Sequence, residues 1–260
     1  MKGLVNLGKL QDETGASATI DQLDELVERW PEDREFELEL AKGLVNLTNL
    51  QDEAGASATA DRLEELVEKW PENREFALEL AKGLVNFSNK RDRVGACTTI
   101  SWLEELSRQW PNDQEIELEI AKGLCNLTNL QDEAVTGTAI TGLEELAEQW
   151  PEEQEIVLLL AQGLFNLSIA QDEIGASATV ARLEELVERC PENHRIVLVL
   201  AGGLVNLSFQ QDVAGARAAV DRLEELARKW PENREFELRL AKGLVNLTNL
   251  QDETGASATI

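Results

Sequence analysis

Asp61-Arg62-Leu63-Glu64-Glu65-Leu66-Val67-Glu68-Lys69-Trp70-Pro71-Glu72-Asn73 holds the end of one helix and the start of another. Leu63, Leu66, Val67 and Trp70 fall at helical spacing and make one apolar stripe, with the charged residues on the opposite face. Pro71 stops this helix, because the residue before a proline is disfavoured in helical geometry. Asn73 offers a side chain to cap the orphan amides of the next helix, and acidic residues around it suit the positive end of the helix dipole. Beyond it, Phe76, Leu80, Leu84 and Phe87 keep the helical step, widened by Leu78 and Val85. The spacing predicts a helix from about Arg74 to about Lys90. In the equivalent stretch one copy earlier, Gln51-Asp52-Glu53-Ala54-Gly55, the expected helix break is assigned to Gly55. No strand pattern occurs, so the chain reads as all-helical.

The junction returns every forty residues, as Trp30-Pro31, Trp70-Pro71, Trp110-Pro111, Trp150-Pro151, Cys190-Pro191 and Trp230-Pro231, and these 6 prolines are all the chain has. A Gly-Leu-x-Asn run keeps the same step, with Asn6, Asn46, Asn86, Asn126, Asn166, Asn206 and Asn246. A fixed period of this size is the signature of a stacked repeat array. The expected organisation is a single array over residues 1–260, an open α-solenoid of antiparallel helix pairs. It divides into a partial unit 1–30, full units 31–70, 71–110, 111–150, 151–190 and 191–230, and a partial unit 231–260. Ala41-x-Gly43 recurs as Ala81/Gly83, Ala121/Gly123, Ala161/Gly163, Ala201/Gly203 and Ala241/Gly243. A glycine inside a helix costs ~1 kcal/mol relative to alanine. Its return in every unit predicts close approach of two packed helices at that point.

Four features together resemble the tetratricopeptide repeat: the helix-ending Pro71, the small Ala81 and Gly83 midway in the first helix, the interhelix Gly55, and the small Ala60 of the second helix. The period is forty rather than about thirty-four, the aromatic pair usual in that family's first helix is absent, and there is no tyrosine. HEAT-type repeats share the longer period and stand as the alternative module. The resemblance implies a right-handed superhelix that binds protein or peptide along a concave groove, without catalysis.

Composition narrows the partners. With 50 acidic against 24 basic residues the formal net charge is −26, which excludes a phosphate-binding stripe and so disfavours nucleic acid and anionic membranes. A basic protein or peptide is electrostatically favoured. No apolar run approaches the ~18 residues of a membrane span. Cys97, Cys125 and Cys190 occupy three different repeat positions without Cys-x-x-Cys spacing, as expected of reduced thiols in a cytoplasmic setting. His194 is the 1 histidine and has no companion ligands, so neither a metal nor a cofactor is expected. No supported nucleophile or phosphate loop appears, and an enzyme is not expected. The Ser/Thr cluster in Gly55-Ala56-Ser57-Ala58-Thr59 reads as helix-entry capping.

Two sets of residues are candidates for contact. Lys42/Asn46, Lys82/Asn86, Lys122/Asn126 and Lys242/Asn246 are four apart and share a helix face. By the family resemblance they would line a groove and hold a carboxylate. Two units keep Asn166 and Asn206 but replace the lysine by Gln162 and Gly202, which points instead to an interhelix hydrogen-bond ladder. The same asparagines read Asn-x-Ser/Thr, a glycosylation pattern expected to be a coincidence of the repeat. The second set lies in those two divergent units. Val157 and Leu159, then Val197 and Val199, stand where other copies have Glu37 and Glu39; Phe165 replaces Val45, and Ile169 and Phe209 replace Asn49. These seven predict an apolar interaction patch. Trp102, in the place of Arg62, is a further exposed-aromatic candidate.

Residues 241–260 nearly duplicate residues 1–20, so both ends look like interior units and the chain reads as a window of a longer array. Uncapped end faces predict stacking onto neighbours. The functional expectation is a non-catalytic scaffold for protein or peptide binding, with a self-associating structural array as the alternative.

Overall fold

The computed structural model describes residues 12–89, 93–130 and 132–257. Asn6 with the rest of residues 1–11, Lys90, and residues 258–260 lie outside them. Two compact units divide the chain, Met1–Leu130 and Gln131–Ile260, and the division falls inside the expected 111–150 repeat. The first unit contains α1 (Glu13–Arg29), α2 (Arg34–Leu50), α3 (Glu53–Lys69), α4 (Arg74–Ser88), α5 (Arg93–Gln109) and α6 (Gln114–Leu127), the last continued by a 3₁₀ turn at Thr128–Leu130. The second contains α7 (Glu133–Gln149), α8 (Gln154–Ala170), α9 (Glu173–Arg189), α10 (His194–Gln210), α11 (Val213–Lys229) and α12 (Arg234–Ser257). Among the described residues there is no strand.

Local chemistry sets most boundaries. Asp33, Asn73, Asp113, Glu153 and Asn193 cap the helices that follow the prolines. Asp12, Asp52, Asp132, Asp172 and Asp212 cap the second helix of each pair, each accepting a first-turn amide. The break is therefore made at Gln51-Asp52, and Gly55 sits inside the first turn of α3, its N–H donating to Asp52 Oδ1 at 2.9 Å. Gly55 serves a different purpose. A Cβ there would lie 3.1 Å from the Gln51 side chain. Gln51 Oε1 accepts from Thr59 Oγ1 at 2.7 Å, and Gln171 and Thr179 repeat the bond at 2.7 Å. Thr59 thus fastens the hairpin turn rather than capping the helix. α4 ends at Ser88 with Asn89 as its cap, just short of the expected end. In α12 the equivalent Gln251-Asp252-Glu253 is helical, so local propensity alone does not impose the break.

Within each unit the helices form two layers. The post-proline helices touch one another in series, α2 on α4 and α4 on α6, and separately α8 on α10 and α10 on α12. The second helices seat between them, α3 against α2 and α4, α5 against α4 and α6, α9 against α8 and α10, α11 against α10 and α12. Each unit is thus an all-α solenoid of sequentially packed hairpins. The glycines mark the crossings: an added Cβ would meet Ile20 at 2.8 Å from Gly43, Leu103 at 2.9 Å from Gly123 and Leu223 at 2.8 Å from Gly243. Leu23, Leu44, Leu63, Leu84 and Leu103 are fully buried in the first unit, and Leu143 and Ile156 in the second. Each such side chain contributes about 2 kcal/mol of burial.

The second helices reach one another through side-chain tips. Arg62 Nη2 donates to Asp24 at 2.7 Å, linking α3 to α1. Arg182–Glu144 and Arg222–Glu184 make the same link in the second unit. Trp102, read from sequence as an exposed aromatic, is half-buried and hydrogen-bonds Glu64, so it replaces the arginine in this row. Burial and the neighbouring Glu68 and Asp61 raise the Glu64 pKa, against the lowering effect of that bond.

Candidate functional site

The asparagines face the preceding helix of the same layer. Asn86 Nδ2 donates to Val45 O at 2.9 Å and to Thr48 Oγ1 at 3.3 Å. Asn126 reaches Val85 O at 3.3 Å and Ser88 Oγ at 2.9 Å; Asn246 reaches Val205 O at 3.3 Å and Ser208 Oγ at 3.0 Å; Asn206 reaches Ser168 O at 2.9 Å. Those hydroxyls in turn bond the carbonyl three residues back, as Thr48 does to Val45 O at 2.7 Å. The Asn-x-Ser/Thr pattern therefore encodes a ladder in which Asn86, Asn126, Asn206 and Asn246 each bond the hydroxyl or backbone of the copy before. Asn46 and Asn166 hold the same half-buried position on α2 and α8.

The lysines are engaged elsewhere. Lys42, Lys82 and Lys122 donate to Glu39, Glu79 and Glu119 at 3.0, 2.9 and 2.8 Å, each on its own helix. Lys242 is exposed on α12, where Arg239 takes the place of the glutamate. Lysine and asparagine of one pair thus act apart, the first neutralising a nearly buried acid and the second joining helices. At the N-terminal edge of the layer, Arg74 bonds Asp113 and Glu115 at 2.8 and 2.7 Å, and Arg195 bonds Glu155 at 2.9 Å. The Arg74 guanidinium holds the Asp113 carboxyl below its usual range.

The seven expected patch residues separate into two groups. Val157 and Val197 are 1% exposed and belong to the core of the second unit, with Leu159 nearly buried beside them. The surface patch therefore does not include Val157, Val197 or Leu159. Phe165 and Val199 are half-buried, while Ile169 at 44% and Phe209 at 72% are exposed. Phe165 and Ile169 share one face of α8, and Val199 and Phe209 lie on the matching side of α10, which packs beside it. Gly202 fits this surface: a Cβ there would lie 3.1 Å from the Phe165 ring. The ring occupies the space that a lysine would take in other copies.

Ile174 was missed in sequence. It is 80% exposed in the first turn of α9, where other copies carry threonine, alanine or valine, and its signal was the larger aliphatic side chain two residues after the Asp172 N-cap. The last turns of α8 and α10 and the first turn of α9 thus bring Ile169, Phe209 and Ile174 to one edge of the second unit. Asp172, Glu173 and Asp212 are exposed along the same edge. The carbonyl ends of α8 and α10 lie there beside the amide ends of α9 and α11, so the helix dipoles offset one another and the negative charge comes from the carboxylates. At the corresponding edge of the first unit stand the exposed Asn49, Asn89 and Asn129.

Buried acids form the other notable chemistry. Glu37 is fully buried, accepting from Trp70 Nε1 at 2.7 Å and pairing with Lys69. Glu117 is equally buried but has the Ser107 hydroxyl, at 3.1 and 3.2 Å. Burial pushes its pKa up to about 7, against the lowering effect of Ser107 and aided by Asp113. The cysteines are free thiols, with Cys97 exposed, and burial pushes Cys125 up to about 11. His194 opens α10 with its ring 6.4 Å from that of Trp230. Among the described residues no group of three His, Cys, Asp or Glu side chains is placed to hold a metal ion, and no helix is long and apolar enough to cross a membrane.

No protein-family model matches the sequence, and no curated protein matches it.

Proposed function

We propose that the chain is a non-catalytic binding module, used as tetratricopeptide-like arrays are used, which takes a protein or peptide segment on the α8–α10 surface. The observation that carries this reading is the exposure of Phe209 at 72% and Ile169 at 44%, at positions where the first unit has exposed asparagines. Large apolar side chains held open on rigid helices supply contact area at little entropic cost. The acidic rim of Asp172, Glu173 and Asp212 and the net charge of −26 select a segment in which an apolar side chain is flanked by lysine or arginine. Lys42, Lys82 and Lys122, already paired with glutamates, are not the basis of recognition in this reading, and neither are the asparagines.

A display library of random peptides tests it. Wild-type protein should enrich sequences with an aromatic or branched apolar residue beside basic ones. The double variant Ile169→Asn, Phe209→Asn installs the residue of the other copies, and should keep helicity while losing affinity for the enriched peptides by about tenfold or more. No enrichment, or enrichment indifferent to the double variant, sinks the proposal.

A further inference from the structure

The post-proline layer of the second unit changes charge from one helix to the next. In the first unit each helix of this layer carries its own ion pair, Glu39–Lys42, Glu79–Lys82 and Glu119–Lys122, at 3.0, 2.9 and 2.8 Å. The same two positions hold Leu159 and Gln162 on α8, Val199 and Gly202 on α10, and Arg239 and Lys242 on α12. α12 thus keeps the lysine and replaces its glutamate by a second cation. Like charges this close on one helix repel each other. α10 contains no Asp or Glu, and the single acid of α8, Glu155, is held by Arg195 at 2.9 Å. A chain of net charge −26 therefore has here a pair of cations that no free carboxylate of α8 or α10 answers.

Gly202 decides where the arginine goes. A Cβ there would lie 3.1 Å from Arg239 Nη1 and 3.1 Å from the Phe165 ring, so guanidinium and aromatic edge converge over a backbone position that has no side chain. Glu235 stands one turn back on α12, yet the guanidinium reaches across to α10. The crossing is made on the side of α12 against which α10 packs, and it leaves Arg239 half-buried beside the exposed Lys242.

We propose that Arg239 and Lys242 hold an acidic side chain of the bound segment over Gly202, while the apolar anchor of the same segment rests on Ile169 and Phe209. This rests on the reading of the α8–α10 surface as a peptide site, and adds to it a second, oppositely charged contact. The guanidinium offers a planar fork that takes a carboxylate through two parallel bonds, and the neighbouring Phe165 ring keeps water from one side of it. Gly202 and Phe209 are seven residues apart on α10, which places them on one stripe about 10 Å apart along the axis. An extended chain rises about 3.3 Å per residue, so the acid and the anchor are about three residues apart. The basic flank of the anchor lies on its far side, over Asp172, Glu173 and Asp212. The order of charges along the segment thus fixes which of its ends lies at α12.

Random peptides displayed as internal inserts, which have no free C-terminus, provide the test. The enriched sequences should carry Asp or Glu about three residues from the apolar anchor. In a fluorescence-polarisation titration with one such peptide, Arg239→Glu should weaken binding about tenfold or more with helicity unchanged. A peptide whose acid is replaced by lysine should bind that variant about tenfold better than it binds the wild type. Arg239→Gln, which removes the charge without reversing it, should lose affinity by a smaller factor and favour neither peptide. Enriched peptides that depend on Ile169 and Phe209 but carry no acid at this spacing overturn the inference and leave the binding surface standing. An acid whose contribution is indifferent to Arg239→Glu overturns it equally, as does binding confined to peptides with a free C-terminal carboxylate. A library from which nothing is enriched overturns both readings together.

Discussion

Glu37 on α2 and Glu117 on α6 are fully buried in the first compact unit, and at the same repeat position the second unit buries Val157 on α8 and Val197 on α10. The backbone hairpin is the same in both. What differs is the partner supplied by neighbouring helices. Glu37 has a cation and an indole N–H, and Glu117 has a hydroxyl from Ser107, a residue that is Val67, Ala147, Val187 or Ala227 in other copies. Where the acid is missing the tryptophan persists in two of three copies: Trp110, opposite Ala77, and Trp230, opposite Val197, bury an indole N–H without an acceptor among the described residues, while Cys190 stands opposite Val157. Trp70 and Trp230 stack on Phe76 and Phe236, each at 6.2 Å between ring centres. Tryptophan is therefore held by shape, and the acid is an addition tolerated only with its partners. A buried carboxylate without them costs far more than the hydrocarbon that replaces it.

Transferring the acid to the second unit breaks the contrast most sharply. Val157→Glu faces Arg189 but Cys190 in place of tryptophan, and should cost about 3 kcal/mol. Val197→Glu meets Lys229 and Trp230, the residues that stand where Lys69 and Trp70 do, and should cost about 1 kcal/mol or less. Denaturant unfolding of the two variants measures the difference; equal losses would mean that the indole acceptor is irrelevant. The reverse change, Glu37→Ala, leaves the Trp70 N–H buried without a partner and should cost about 2 kcal/mol in the same assay. At the surface, Gly202→Lys drives a side chain into Phe165 and should lose about 2 kcal/mol, with Phe165→Val in the same chain recovering most of it. The smallest effect is a pH slope. Folding raises the Glu117 pKa from 4.5 to about 7, so the folded state holds this proton more tightly than the unfolded chain. Its contribution is therefore most favourable below the unfolded value and is lost as pH rises towards about 7. Glu117→Gln should flatten thermal stability across that window, and an unchanged slope would assign it to other groups.

The hairpins were legible because their signals are local and repeated: proline after a bulky residue, an Asp or Asn cap, and a stripe at helical spacing. The small residues at the crossings were legible for the same reason, since only close packing explains glycine recurring within a helix. The turn was misjudged at Gly55, because the Gln51–Thr59 bond that needs the glycine spans eight residues and leaves no compositional mark. Val157 and Val197 were assigned to the surface because substitution of an acid by a hydrophobe reads as a change of exposed face. Their glutamate counterparts were themselves buried, which requires knowing where Lys69, Trp70 and Ser107 lie. Trp102 misled in the same way, since its role as a rung to Glu64 depends on a partner in the previous hairpin. Ile169 and Phe209 were found because the residues they replace do lie in solvent.

Within each unit the two layers resist deformation unequally. Post-proline helices are in contact along their length and cross-bonded by amides, whereas their companions meet through arginine, indole and carboxylate tips. Bending that pries the companions apart stretches only side-chain contacts, whereas bending in the opposite sense must stretch the packed, amide-bonded post-proline layer. Each unit is consequently a one-way spring, soft when the outer rungs open and stiff when they close.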